Sequence, residues 1–179
     1  MNNSSRRFTN TEEEIIDFLF ENPTTSFRGR TLASKLKKPA SGVIKSARNL
    51  EKDNLVKISK DFTLSIKLNR ENKKTFVLKR IYNLKSLYES GLVSFLSDTL
   101  PGSTIIVFGS YAYGEDTEDS DIDIAIIGYS GREIAKISIY EKVIHRKLQL
   151  HFFKSTEGIH KNLRENIING IVLEGVIKL

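Results

Sequence analysis

Apolar positions recur along the chain at three and four residues, then at two, then at three and four again, and these changes of period mark the elements. Residues 1–10 are polar and expected to be loosely held. Thr11 reads as an N-cap, with Glu12, Glu13 and Glu14 in the first turn, where the helix dipole favours acids. Ile15, Ile16, Phe18 and Leu19 supply the apolar face, and Pro23 ends the helix. A second helix is predicted over Gly29–Leu36, with Leu32, Ala33 and Leu36 apolar. Pro39 suits a first helical position and opens a third helix to Lys52, whose buried stripe is Val43, Ala47 and Leu50. The period then drops to two. Leu55–Ser59 is a strand, Lys60–Phe62 a turn, and Thr63–Leu68 a second strand with Leu64, Ile66 and Leu68 on one face.

The polar run Asn69–Thr75 marks a boundary. Beyond it Phe76, Val77, Leu78, Ile81, Leu84, Leu87 and Tyr88 recur as the apolar face of a longer helix, which Gly91 stops. A helix over Leu92–Leu100 and a Pro101-Gly102 turn lead into a buried strand, Ile105–Phe108. Gly109-Ser110 is a small-residue turn, and Glu115–Asp119 reads as a solvated acidic loop. Asp121–Ile126 then alternates acid and aliphatic. A turn at Gly128–Arg132, a short helix near Ser138–Ile144 and a strand over Lys147–Phe153 follow. That strand puts Leu148, Leu150 and Phe152 on one face and Gln149, His151 and Phe153 on the other. Glu157–Asn169 is the last helix, Gly170 its C′ residue, and Ile171–Leu173 a short final strand.

Composition changes this picture in one respect. The 179 residues are 39% hydrophobic and 28% charged, as in a soluble globular protein, and the absence of cysteine excludes disulfides and thiolate metal sites. No run reaches the length of a membrane span and the first residues lack the apolar core of a signal peptide, so no membrane role and a cytoplasmic location are expected. The net charge of +6 is unevenly spread: residues 1–80 hold 18 Lys+Arg against 9 Asp+Glu, and residues 81–179 hold 10 against 13. A basic first half suits a polyanionic partner, and the second half does not share it.

The chemistry concentrates at Thr104–Ile127. In a strand, residues two apart share a face, so Asp121 and Asp123 stand together, roughly 7 Å apart along the strand, while Ile122, Ile124 and Ile126 enter a core. Two carboxylates held that close call for a cation, and hard oxygen ligands suit Mg²⁺, which binds through one or two carboxylates plus substrate phosphates. Glycine at 109 lets backbone approach a phosphate, successive N–H groups there make an anion site, and Ser110 adds a hydroxyl donor. A calcium loop over Asp119-x-Asp121-x-Asp123 is excluded, because Ile124 occupies the sharp-turn glycine position and Ser130 the twelfth.

Gly109-Ser110, ten residues, then Asp121-x-Asp123 resembles the GS-x10-D-x-D signature of the minimal nucleotidyltransferases of the DNA polymerase β-like superfamily, and FGSYAYGEDTEDSDIDIAI follows that pattern through Gly114 and Ser120. The resemblance implies transfer of a nucleoside monophosphate from ATP or another NTP to a hydroxyl. Gly109 and Ser110 would hold the β- and γ-phosphates, and Asp121 and Asp123 would hold Mg²⁺. It implies a third carboxylate on the adjacent strand as well, and here the sequence departs. Gln149 lies at the aligned position and His151 is two residues on, on the same face. An amide is no base at neutral pH; a histidine is the side chain whose ordinary titration falls there, so His151 joins Asp121 and Asp123 as a catalytic candidate, set against the reading of an ordinary surface or interface histidine. Relatives in the minimal family include antitoxins that nucleotidylate a partner toxin, often a HEPN-type ribonuclease, which implies a partner protein.

Residues 10–70 resemble a winged helix-turn-helix: three short helices, then a hairpin. In that fold the third helix enters the major groove and the wing meets the backbone. The resemblance places Ser41, Lys45, Ser46, Arg48 and Asn49 on the reading helix, and Lys57 and Lys60 on the wing, against double-stranded DNA. Winged-helix regulators commonly pair, so a homodimer is expected. The expected fold class is therefore α+β: a winged helix (three helices plus a β-hairpin) over 8–70, a helical connector over 71–100, and a polymerase β-like nucleotidyltransferase α/β domain with a small mixed sheet over 101–179. The competing expectation is a DNA-binding transcriptional regulator whose second domain only binds nucleotide or a partner.

Overall fold

Thr9, not Thr11, opens the first helix. Its hydroxyl accepts from the Glu12 N–H at 3.4 Å, and the Glu12 carboxylate accepts from the Thr9 N–H at 2.9 Å, a reciprocal capping box. Thr11 offers a cap by residue type, but only Thr9 has an acid three residues on that turns back to it. The computed structural model describes residues 6–60, 63–129, 131 and 134–177. The chain divides into two compact units, residues 1–75 and 76–179.

The first unit comprises α1 (Asn10–Glu21), β1 (Phe27–Arg28), α2 (Gly29–Lys35), α3 (Ala40–Lys52), β2 (Val56–Ser59) and β3 (Ser65–Leu68). Pro39 is the N-cap of α3 rather than its first helical residue. The strands form an antiparallel sheet in the order β1-β3-β2. Two residues carry no readable period, so β1 escapes a sequence reading. Ile15, Leu19, Leu32, Val43, Leu50, Leu55 and Ile66 fill the core. The stretch ahead of α1 is held from Arg6 onward, because Arg6 pairs with Glu12 at 2.7 Å and Asp53 at 2.6 Å. Residues 1–5 lie outside the described residues, as do 61–62 of the predicted turn at Lys60–Phe62 and residues 130 and 132 of that at Gly128–Arg132.

The second unit takes up α4 (Lys73–Glu89), whose first residues belong to the first unit. It continues with α5 (Leu92–Thr99), β4 (Thr104–Phe108), α6 (Gly109–Tyr113), β5 (Ile122–Ile127), α7 (Ile137–Ile144), β6 (Leu148–Phe153), α8 (Lys161–Ile168) and β7 (Ile171–Glu174). The sheet order is β6-β5-β4-β7; β4 runs antiparallel to β5 and β7, and β5 parallel to β6. This is a mixed α+β architecture with a small mixed sheet. Ile105, Val107, Ile122, Ile124 and Ile126 bury one face under Leu87, Leu92 and Leu96. Ile106, Phe108 and Ala125 bury part of the other face under Ile159 and Ile167. Each large aliphatic side chain fully buried this way contributes about 1.5–3 kcal/mol, so an acid at Ile124 would break the sheet's packing.

Three expectations need correction. Along α4, Val77 and Ile81 are 58% exposed and Tyr88 52%, while Lys79, Asn83 and Leu87 are buried. The period was right, but of the two faces it fits, the partly polar one goes inward because it finds partners there. One of these partners is Asp116, 1% exposed, so the run Glu115–Asp119 is not uniformly a solvated loop. The last helix begins at Lys161, with His160 as its N-cap, rather than at Glu157.

Candidate active site

β4 delivers the chain to its edge at Phe108, and the backbone then reverses. Gly109 takes a φ of +71° and starts α6; Gly114, at +74°, caps it. Both sit in the left-handed region that suits glycine. The antiparallel register sets Phe108 opposite Asp123, so the Asp123 carboxylate stands beside the turn. A Cβ at residue 109 would lie 3.0 Å from Asp123 Oδ2. Glycine is thus required twice, by conformation and by the closeness of the acid.

Asp121 immediately precedes β5 and is led in by a tight turn in which Ser120 Oγ accepts from the Thr117 N–H at 2.9 Å. β6 lies beside β5, with Gln149 opposite Asp123 and His151 opposite Ala125. Gln149 Nε2 donates to Asp121 Oδ2 at 2.7 Å. His151 Nε2 is 3.0 Å from Asp123 Oδ1, and its ring packs 5.3 Å from that of Phe108. The side chains of His151 and Asp123 are 31% and 30% exposed, held in place yet open to a ligand. The register brings Asp121, Asp123, Gln149 and His151 together at one end of the β5–β6 pair.

The donor set is two carboxylates, one amide and one imidazole. Among the described residues no group of three or more His, Asp or Glu is gathered for a metal. Two acids fit a Mg²⁺ that completes its shell with phosphate and water, and do not fit an all-protein cage. Beside Asp121 a cleft of about 410 Å³ opens between residues 118–121 and the end of α7, where Lys142, His145 and Arg146 line it.

Lys79, Asn83 and Asp116, which sequence reasoning missed, meet next to α6, where Asn83 Nδ2 donates to the Tyr111 carbonyl. Lys79 Nζ meets Asp116 Oδ2 at 2.7 Å across 37 residues of chain, and no local spacing announces such a pair. Burial pushes the Tyr111 phenol, on α6, well above its ordinary value of 10.0.

In the first unit Ser41, Lys45 and Arg48 are exposed at i, i+4 and i+7, one stripe of α3. Ser46 is half-buried. Asn49 turns inward and donates to Glu12 Oε1 at 3.1 Å. Lys57 pairs with Glu71 at 2.6 Å, and Lys60 is exposed.

Residues 90–173 match the family model of the nucleotidyltransferase domain. The matched segment runs from the residue after α4 into β7 and contains Gly109, Ser110, Asp121, Asp123, Gln149 and His151. No curated protein matches the chain. Among solved structures, a toxin–antitoxin crystallised with AMP-PNP is 24% identical with a TM-score of 0.40, over 49% of this chain and 73% of that one. A mutant of the toxin–antitoxin MntA-HpeT is 22% identical with a TM-score of 0.40 over the same shares. Likeness at that level is too weak to transfer a role. No helix among the described residues is long and apolar enough to cross a membrane.

Proposed function

We infer that the nucleotidyltransferase domain transfers a nucleoside monophosphate from an NTP, ATP first, to a hydroxyl on another molecule, forming a phosphoester at the α-phosphorus and breaking the α–β bond to release pyrophosphate. The observation that carries this reading is the 3.0 Å approach of Asp123 Oδ2 to the Cβ position of Gly109, which joins an acidic pair to a backbone turn able to receive phosphate. In this reading Gly109 and Ser110 receive the β- and γ-phosphates, and Asp121 and Asp123 hold Mg²⁺. Bound there, the ion supplies neutralisation of triphosphate charge. His151 takes the acceptor's proton, since Gln149 cannot. The acceptor sits on a partner protein, of which a HEPN-type toxin is the first to try, and the protein works in the cytoplasm.

The first unit, in this reading, is a winged helix that binds duplex DNA as a homodimer. Its support is the exposed Ser41, Lys45 and Arg48 stripe on a basic half-chain. Phosphate contacts make such binding fall steeply with salt.

The test is incubation with labelled ATP, Mg²⁺ and candidate acceptors. Labelled product that disappears in Asp121→Ala and Asp123→Ala supports transfer. A second reading has its own observation. Gln149, at the position where the resemblance implies a third acid, donates a hydrogen bond to Asp121. On that reading the domain binds nucleotide without turnover and reports to a DNA-binding regulator. ATP binding with no product from any acceptor would favour it.

A further inference from the structure

The helix that leads into the site carries two polar groups inward beside its buried Leu87 and leaves three apolar ones outward. Along α4, Lys79 and Asn83 are buried, whereas Val77, Ile81 and Tyr88 are exposed. Burying an ammonium and an amide while valine and isoleucine face water is unfavourable on both counts. The polar face therefore calls for a reason other than stability.

Its contacts supply one. Lys79 Nζ meets Asp116 Oδ2 at 2.7 Å and Asn83 Oδ1 at 3.3 Å. Asn83 Nδ2 donates to Asp116 Oδ1 at 2.8 Å and to the Tyr111 carbonyl at 2.9 Å. The Lys79 and Asp116 side chains are 3% and 0% exposed. Gly114 brings the backbones together at the same place: a Cβ there would lie 2.4 Å from the Phe76 carbonyl oxygen and 2.8 Å from the Arg80 nitrogen.

Consider what the sheet fixes and what it does not. The β4–β5 ladder ends at the Phe108–Asp123 pair, so it holds Asp123. Ser110 and Asp121 lie beyond it. Tyr111 follows Ser110 directly, and Asp116 is five residues before Asp121. Both are tied to Asn83.

We propose that Lys79, Asn83 and Asp116 are positioning residues of the nucleotide site, anchoring to α4 both the Gly109-Ser110 helix and the segment that ends at Asp121. The polar face of α4 thereby sets how far the phosphate-receiving turn stands from the acidic pair. That consequence for nucleotide rests on the function proposed above; the anchoring itself does not.

The experiment uses the full chain and the double variant Lys79→Met/Asp116→Leu. Removing both partners leaves no uncompensated buried charge, so the fold should persist with a Tm near wild type. Hydrogen exchange of residues 109–121 should quicken about tenfold while β4 and β5 stay protected. The Kd for Mg·ATP should rise about tenfold, since small misplacement in a site is penalised heavily, with Asp123→Ala as the non-binding reference. A purely structural role predicts a lower Tm with unchanged local exchange and unchanged Kd per folded molecule, and that result overturns the proposal. If the double variant does not fold, Asn83→Ala, which leaves the ion pair, should quicken exchange at residues 110–113, and less at 115–121, which Lys79 still holds through Asp116; unchanged exchange at 110–113 overturns it equally. If wild type binds no Mg·ATP, the functional reading of the site fails, and the exchange measurement still decides the anchoring.

Discussion

His151 reaches Asp123 diagonally: the parallel register sets His151 opposite Ala125, yet its Nε2 lies 3.0 Å from Asp123 Oδ1. Gln149 repeats the offset, sitting opposite Asp123 and donating to Asp121. Each β6 side chain thus serves the acid two residues back from its own partner. The offset sets the imidazole against Asp123 and the amide against Asp121.

Replacement at 151 separates proton transfer from simple support. His151→Gln keeps an N–H for Asp123 and loses the ring that accepts a proton. Transfer should fall about 100-fold or more, the usual worth of a general base, while the affinity for Mg·ATP stays within about threefold. His151→Ala should lose the same rate. Single-turnover transfer with nucleotide binding by calorimetry reads both numbers. A Gln variant as fast as wild type would reduce His151 to a support for Asp123.

Gln149→Glu places a third carboxylate against Asp121. Without Mg²⁺ the variant loses the Gln149 hydrogen bond and gains a like-charge contact, a change of about 0.5–1 kcal/mol. With Mg²⁺ that repulsion becomes an extra ligand. The rise in Tm on adding Mg²⁺ should therefore exceed that of wild type, and transfer should quicken about tenfold if the missing acid limits it. Thermal melts with and without Mg²⁺ give the first answer. Equal Mg²⁺ effects in the two proteins would put residue 149 away from the ion.

The acid–aliphatic alternation at 121–126 was legible because one face of β5 is wholly apolar, which pins its register. Asp123, Gln149 and His151 therefore fall where a period of two sends them. α4 was legible only as a helix. Its apolar and buried stripes both fit a period of three and four, and what chose between them was Asp116, supplied from 33 residues beyond Asn83. No window of sequence contains that information. β1 was lost for the opposite reason, being two residues whose only cause is the edge of β3. Thr9 was legible in principle: the capping box needs Thr9 and Glu12 considered together, and the acids at 13 and 14 drew the cap to Thr11.

Gly109→Ala tests the turn. At a φ of +71° an L side chain adds about 1–2 kcal/mol of strain. Its Cβ would also lie 3.0 Å from Asp123 Oδ2, and the neighbour that must give is the carboxylate itself. Denaturant melts should show a loss of about 1–2 kcal/mol, and nucleotide affinity per folded molecule should fall about tenfold further. Gly114→Ala meets backbone rather than a side-chain tip, at 2.4 Å from the Phe76 oxygen, so there the loss should appear as unfolding of the unit. The two glycines thus predict different failures, one functional and one structural.

Glu12 gives the first unit an acid limit. Burial alone would raise its carboxyl, but hydrogen bonds from Arg6, the Thr9 N–H and Asn49 outweigh that and hold it below its ordinary 4.5. A group whose folded value is depressed stabilises the fold fully above its unfolded value and loses that contribution as pH falls through the folded one. The stabilisation should therefore be complete above about pH 4.5 and vanish on further acidification. Glu12→Gln keeps an acceptor for the Thr9 N–H but loses the charge facing Arg6, so at neutral pH it should be less stable by about 1 kcal/mol. Exchange protection of the α1 amides, followed from pH 7 to pH 3, should decline in wild type and change much less in the variant. Parallel decline in both would assign the acid sensitivity to groups other than Glu12.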